Sequence, residues 1–241
     1  MSRRDELEAS LKAVEERVAA ACRAAGRARD EVKLIAVTKT FPASDAALLS
    51  DLGIEHVGEN RDQDAGPKAL EVLRMRPEST LRWHMVGRLQ RNKARSVVRW
   101  AHEVQSLDSP RLADALAKAV RDARENDTAR DVLDVLIQVS LDEDPERGGC
   151  PLDQLAALAE HVTHMGELRL RGIMAVAPLG ADPGEAFERL ARAGEGLRKD
   201  HPNATDVSAG MSHDLEQAIT HGSTCVRVGT ALLGGRGLAS P

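Results

Sequence analysis

Short apolar runs and helical segments alternate along almost the whole chain, and that order leaves few folds open. The runs are VKLIAVT from Val32 to Thr38, followed by IEHVG, LRWHMVG, HEVQSLD, VLDVLIQVSL, LRLRGIMAVA, ATDVSAG and CVRVG. Between them, apolar residues recur at helical spacing near 43–52, 61–74, 89–99, 109–125, 152–164, 184–199 and 212–221. One more helix is expected over about 5–25, with Leu7, Leu11, Val14, Val18 and Ala21 on one face and Gly26 as its stop. Strands separated by helices pair in parallel through right-handed crossovers, because each strand must return to the same end of the sheet. Eight such units in 241 residues predict an α/β fold, a single (β/α)8 barrel of TIM type over about 32–235 in a one-domain chain of 1–241. A doubly wound sheet is the alternative. Against it, no G-x-G-x-x-G follows the first strand, where a dinucleotide site needs its tight turn.

Charge and composition narrow the function. With a net charge of -5, the chain has no overall basic field for nucleic acid, which is not expected as a partner. No apolar run approaches the roughly 20 residues that span a bilayer. Acidic residues interrupt the N-terminus where a signal peptide needs an apolar stretch, so no membrane and a cytoplasmic location are expected. Cys22, Cys150 and Cys225 are odd in number and far apart, as free thiols in a reducing compartment would be. His161 and His164 have the spacing to share a helix face but lack a third ligand, so no metal site is expected. The absence of tyrosine excludes every mechanism that needs a tyrosine acid or base.

The first strand ends in Thr38, Lys39 and Thr40. In a parallel barrel the functional mouth lies at the C-terminal ends of the strands, which places Lys39 there. A lone strand-end lysine is ordinarily just solvated, so its neighbours decide. In VSAGMSHDLEQAITHGSTCVRVGTALLG, Ser212 reads as the N-cap of a helix starting near His213, with Met211 beside it, and Gly229 and Thr230 open a short helix after the last strand. Turns after strands seven and eight are where such barrels hold phosphate. Arg227 lies on a strand expected to be buried, so it either crosses to a carboxylate or points at a ligand, and position alone does not separate the two. Asn60 and His84 end strands two and three at the same mouth, although Asn60 also reads as a helix cap and His84 as a satisfied core histidine. The basic segment 87–100 reads as a solvated helix, or else as a phosphate or partner patch. Together these residues suggest a Schiff-base lysine and a phosphorylated carbonyl compound: pyridoxal 5'-phosphate held permanently, or a sugar phosphate turned over by an aldolase.

LIAVTKTFPAS, HVGENRDQ, WHMVGRLQRNKA, VLIQVSLDEDPERGG, LRGIMAVAP and SAGMSHDLEQAITHGSTCVRVGTALLG together resemble the YggS/PROSC-type pyridoxal phosphate homeostasis proteins. Those are single-domain barrels similar to the N-terminal domain of alanine racemase. The resemblance implies that Lys39 forms an internal aldimine with pyridoxal 5'-phosphate and that Ser212, Gly229 and Thr230 hold the phosphate. It implies that Arg227 approaches the pyridine nitrogen and that Met211, Asn60 and His84 line the ring pocket. The chain departs from the commoner pattern with Phe41 where lysine is frequent, Arg61 where tyrosine is frequent, and VQSLDS in place of an HSIDR-like stretch. Racemisation by a lysine and tyrosine pair is excluded here, so the implied function is storage, buffering or delivery of the cofactor, with no catalytic residue assigned. A pyridoxal phosphate enzyme with weak amino-acid activity is the alternative, alongside the aldolase. The implied partners are the cofactor and the enzymes that use or make it. A monomer is expected, because the racemase dimer completes its site with a domain this chain does not carry.

Overall fold

A computed structural model of the chain describes residues 1–125, 132–142 and 148–235. Part of the loop 142–151 and the last six residues of the expected domain lie outside those described. Eight parallel strands form a closed barrel in chain order: β1 Lys33–Val37, β2 His56–Glu59, β3 Arg82–Met85, β4 Glu103–Leu107, β5 Leu133–Gln138, β6 Leu168–Met174, β7 Asp206–Ser208 and β8 Cys225–Val228. The barrel read from the sequence is therefore borne out. Its seam is the β8–β1 pairing, in which Arg227 lies beside Ile35 and Val228 beside Ala36.

The helices are α1 Arg3–Ala24, α2 Ala43–Asp51, α3 Asp62–Met75, α4 Ala94–Val97, α5 Pro110–Glu125, α6 Leu155–Thr163, α7 Pro183–Asp200, α8 Leu215–Thr220 and α9 Thr230–Leu233. Local chemistry explains their starts. Ser2 caps α1 by accepting from the Asp5 amide, and the Asp5 carboxylate accepts from the Ser2 amide in return. Asp182 caps α7 with Pro183 in the first turn, where a missing N–H costs nothing. The helix expected over 89–99 shrinks to one 3-10 turn and the four-residue α4. The chain turns just beyond it, and the buried Trp100 donates from its indole nitrogen to Asp62 at the start of α3.

Along each strand the residues divide by face, as a period of two requires. Ala36, Val57, Trp83, Met85, Val104, Val135, Ile173 and Val226 pack outward into one apolar cluster with the helices. Each such buried side chain contributes about 1.5–3 kcal/mol when large. Ile35, Leu136, Met174 and Cys225 are buried but stand apart from that cluster, inside the barrel, with the polar residues His84, Glu103, Gln105, Ser208 and Arg227. The N-terminal end of the barrel is a ring of charge: Arg169 and Arg82 approach Asp134 at 2.5 and 3.7 Å, and Arg171 and Lys33 approach Asp206 at 3.7 and 4.0 Å.

Candidate cofactor site at the C-terminal mouth

Lys39 stands two residues beyond β1, exposed at the mouth. It sits in a turn closed by the Phe41 amide donating to the Thr38 carbonyl, with Thr40 at φ 66°. Among the described residues Thr40 is the one non-glycine with positive φ, a conformation that costs of order 1 kcal/mol and persists only where the surroundings impose it. The surroundings are plain. The Lys68 ammonium from α3 donates to the Thr38 carbonyl at 2.9 Å and to Glu59 Oε1 at 2.6 Å, and the Thr38 hydroxyl donates to the same oxygen at 2.6 Å. Glu59 and Lys68 are both buried, and they form a rigid floor under the Lys39 turn.

The β8–β1 seam sets the phosphate-type turn beside the lysine. A β-carbon on Gly229 would lie 3.3 Å from the Val37 carbonyl oxygen, so the turn after β8 rests directly on the end of β1. The Ser212 hydroxyl accepts from the Ala231 amide at 3.2 Å, joining the turn after β7 to α9. Here one expectation is corrected: Ser212 does not cap α8. Asp214 takes the N-cap position, its carboxylate accepts from the Met211 amide at 2.6 Å, and the serine hydroxyl turns toward α9 instead. Met211 is partly exposed beside it. Helix α1 braces both turns from behind. Arg17 donates to the Ser212 carbonyl and both Glu216 oxygens, while Arg3 donates to Asp45 and to the Leu233 carbonyl and lies over the Phe41 ring.

Asn60 follows β2 at the mouth, half-buried, and is not a helix cap; Arg61 precedes α3 without a side-chain bond. Gly87 is what lets β3 end against it, since a β-carbon there would lie 2.3 Å from the Asn60 carbonyl oxygen. His84 does not reach the mouth. Its inward position turns the ring down the barrel, where Nδ1 meets Glu103 at 2.9 Å and Nε2 meets His56 Nδ1 at 3.0 Å, so it is the satisfied core histidine of the alternative reading. Arg227 is buried and, among the described residues, does not bond the carboxylate that one reading expected: it donates to the Ser208 hydroxyl at 2.6 Å and the Ala175 carbonyl at 2.8 Å. Burial lowers its pKa from the usual guanidinium value, against the weaker opposing pull of Cys225 and Asp214.

Sequence reasoning missed Glu59, Lys68, Glu103, Gln105 and Ser208. For all but Lys68, which lies on α3, the signal was a polar residue at a strand position otherwise filled by apolar ones. The basic segment lines a rim cavity of about 1040 Å³ through Arg88, Arg91 and Asn92, with Arg111 and Asp108 opposite. His161 pairs with Asp114 and His164 with Glu160, and among the described residues no three metal-ligating side chains gather. The three cysteines are free and buried, and burial pushes the Cys150 and Cys225 thiols up to about 11.

Comparison with known proteins adds lineage to this geometry. The alanine racemase N-terminal domain family matches residues 9–237. The pyridoxal phosphate homeostasis protein of Mycobacterium tuberculosis (strain ATCC 25618 / H37Rv) is 47% identical over 248 aligned positions, covering 99% of this chain and 96% of the relative. Among solved structures, PipY of Synechococcus elongatus PCC7942 with PLP bound is 32% identical at a TM-score of 0.78, covering 92% of this chain and 100% of PipY. A protein of unknown function from Bifidobacterium adolescentis is 28% identical at a TM-score of 0.88, covering 95% of each chain. By sequence over nearly its full length and by its closed parallel barrel, the chain belongs to the alanine racemase N-terminal domain family.

Proposed function

We propose that this chain binds pyridoxal 5'-phosphate through Lys39 and serves the homeostasis of that cofactor rather than a reaction of its own. The observation that carries the reading is the juxtaposition at the β8–β1 seam, where the Lys39 turn, Gly229 and the Ser212-to-Ala231 bond occupy one corner of the mouth. The residues present fit the group. An exposed primary amine stands beside a glycine turn open to a phosphate, and one layer below lies a buried guanidinium that, among the described residues, bonds a hydroxyl and a carbonyl rather than a carboxylate. When bound, the cofactor supplies an aldehyde carbon that an amine can join with loss of water, and a ring that withdraws electrons.

The chain's own residues divide the remaining work. Lys39 supplies the amine, and the Glu59–Lys68 floor fixes its turn. Ser212, Gly229 and Thr230 hold the phosphate. Met211 and Asn60 border the ring. Arg227 presents N–H groups toward the ring nitrogen and, carrying only donors, keeps that nitrogen an acceptor, which makes the bound cofactor a weaker electron sink than one facing a carboxylate. With no tyrosine in the chain to act opposite Lys39, and with relatives named for homeostasis rather than for a reaction, storage and delivery are the reading best supported. We read residues 1–241 as one domain and as a cytoplasmic monomer that exchanges the cofactor with enzymes that use or make it. Among the described residues no helix is long and apolar enough to cross a membrane.

The test is the near-ultraviolet and visible absorbance spectrum of the purified protein before and after borohydride, with mass analysis of the Lys39 peptide. A visible band that reduction fixes onto Lys39, and that Lys39→Ala loses, is the expected result. A protein that stays colourless with added pyridoxal phosphate would overturn the reading.

A further inference from the structure

An unbroken chain of hydrogen bonds runs down the barrel interior from Arg227. The guanidinium donates to Ser208 Oγ at 2.6 Å, the Ser208 hydroxyl donates to Gln105 Oε1 at 2.8 Å, and Gln105 Nε2 donates to Glu103 Oε1 at 2.7 Å. His84 closes on the same carboxylate oxygen at 2.9 Å and meets His56 on its other side. Every member of the relay from Arg227 to Glu103 is buried.

The direction of these bonds is dictated by chemistry. A guanidinium has only donors and an ionised carboxylate only acceptors. Burial acts to raise the Glu103 carboxyl, but the hydrogen bond from His84, the Lys33 ammonium and the Gln105 amide together outweigh it and hold the group at about 2, so it is ionised. Its oxygen therefore faces the NH2 of Gln105, the Gln105 carbonyl must face Ser208, and the single Ser208 proton must go to that carbonyl. Ser208 is then left with lone pairs only for Arg227. Each link polarises the next, and the two buried charges, which do not touch, are joined through two neutral dipoles.

We infer that Gln105 is a positioning residue that, through Ser208 and against the fixed charge of Glu103, holds the Arg227 guanidinium as a donor oriented to the ring nitrogen of the cofactor. The inference rests on the proposed binding of pyridoxal phosphate. It assigns to Gln105, which stands in the VQSLDS stretch, a role in selecting what the ring carries at that position.

The experiment compares dissociation constants of the full-length protein for pyridoxal 5'-phosphate and for its 1-deaza analogue, in which a C–H replaces the ring nitrogen, in wild type, Gln105→Met and Ser208→Ala. Thermal melts of the apoproteins serve as the control for folding. In wild type the natural cofactor is expected to bind about tenfold more tightly than the analogue, the size of one hydrogen bond to a charged group, and in both variants that ratio is expected to fall toward one. A merely structural role weakens both ligands together and leaves the ratio unchanged, which overturns the inference. Equal wild-type affinities also overturn it. Wild type that binds neither ligand sinks the proposed function itself and the inference with it. Should Gln105→Met fail to melt cooperatively, Ser208→Ala carries the test, since it removes one hydroxyl and little volume.

Discussion

Lys68 and Glu59 form a buried ion pair at 2.6 Å whose ammonium also grips the carbonyl of Thr38, the residue before Lys39. Removing one partner of such a pair strands the other charge in the interior. Lys68→Met is expected to cost about 3 kcal/mol of folding stability in urea unfolding. Combining it with Glu59→Gln should recover part of that loss, because the stranded carboxylate is then gone. A single variant as stable as wild type would show that the pair is not what holds the floor.

The interior relay makes stability depend on pH in a defined window. Burial and the neighbouring His84 push His56 down from 6.5 to about 3, and Glu103 is held at about 2 against 4.5. In both cases the unfolded chain takes up its proton first as pH falls. His56 thus favours the fold fully above about 6.5 and loses that contribution between about 6.5 and 3. Glu103 loses its contribution between about 4.5 and 2. Urea midpoints measured from pH 7 to pH 4 should fall steadily, and His56→Gln should remove most of that slope, leaving the part below about pH 4.5 that Glu103 contributes.

Thr40 carries strain that a different residue would relieve. Asparagine tolerates φ near +60° far better than a β-branched residue does. Thr40→Asn is expected to raise the melting temperature of the apoprotein by about 2–4 °C, corresponding to about 1 kcal/mol in a chain of this size. A lower melting temperature would mean that the threonine makes a compensating contact.

Gly87 should tolerate no side chain. The atoms a β-carbon would strike are backbone atoms of Asn60, at 2.3 and 2.7 Å, so relief requires moving the end of β2. Gly87→Ala is expected to cost about 2 kcal/mol or more in urea unfolding and to weaken cofactor binding measured by equilibrium titration. Unchanged affinity in a destabilised variant would remove Asn60 from the binding site.

The fold was legible because each βα unit carries its own signature: a short β-branched run, then a helical period. Lys39, Gly229 and Thr230 could be placed at the mouth for the same reason, since a strand end is a position readable from sequence. Ser212 was placed at the right turn, but its reading as the cap of α8 fails because Asp214 occupies that position and Ser212 Oγ accepts from the Ala231 amide instead. His84 and Arg227 show the limit most clearly. Their partners come from β2, β4, β6 and β7, and which inward-facing polar groups meet across a closed barrel depends on the stagger of the strands, a quantity absent from any local window. Lys68 was hidden in another way: it reads as a solvated helix residue until α3 folds back over the end of β2.

The seam between β8 and β1 ties the last strand to the first, and Arg3 reaches the carbonyl of Leu233 across 230 positions of chain. A ribosome that has synthesised Lys39 must therefore add nearly the whole remaining chain before the Gly229 turn closes against the end of β1. A chain that stalls short of its last strand has the Lys39 turn but not the glycine turn that closes against it.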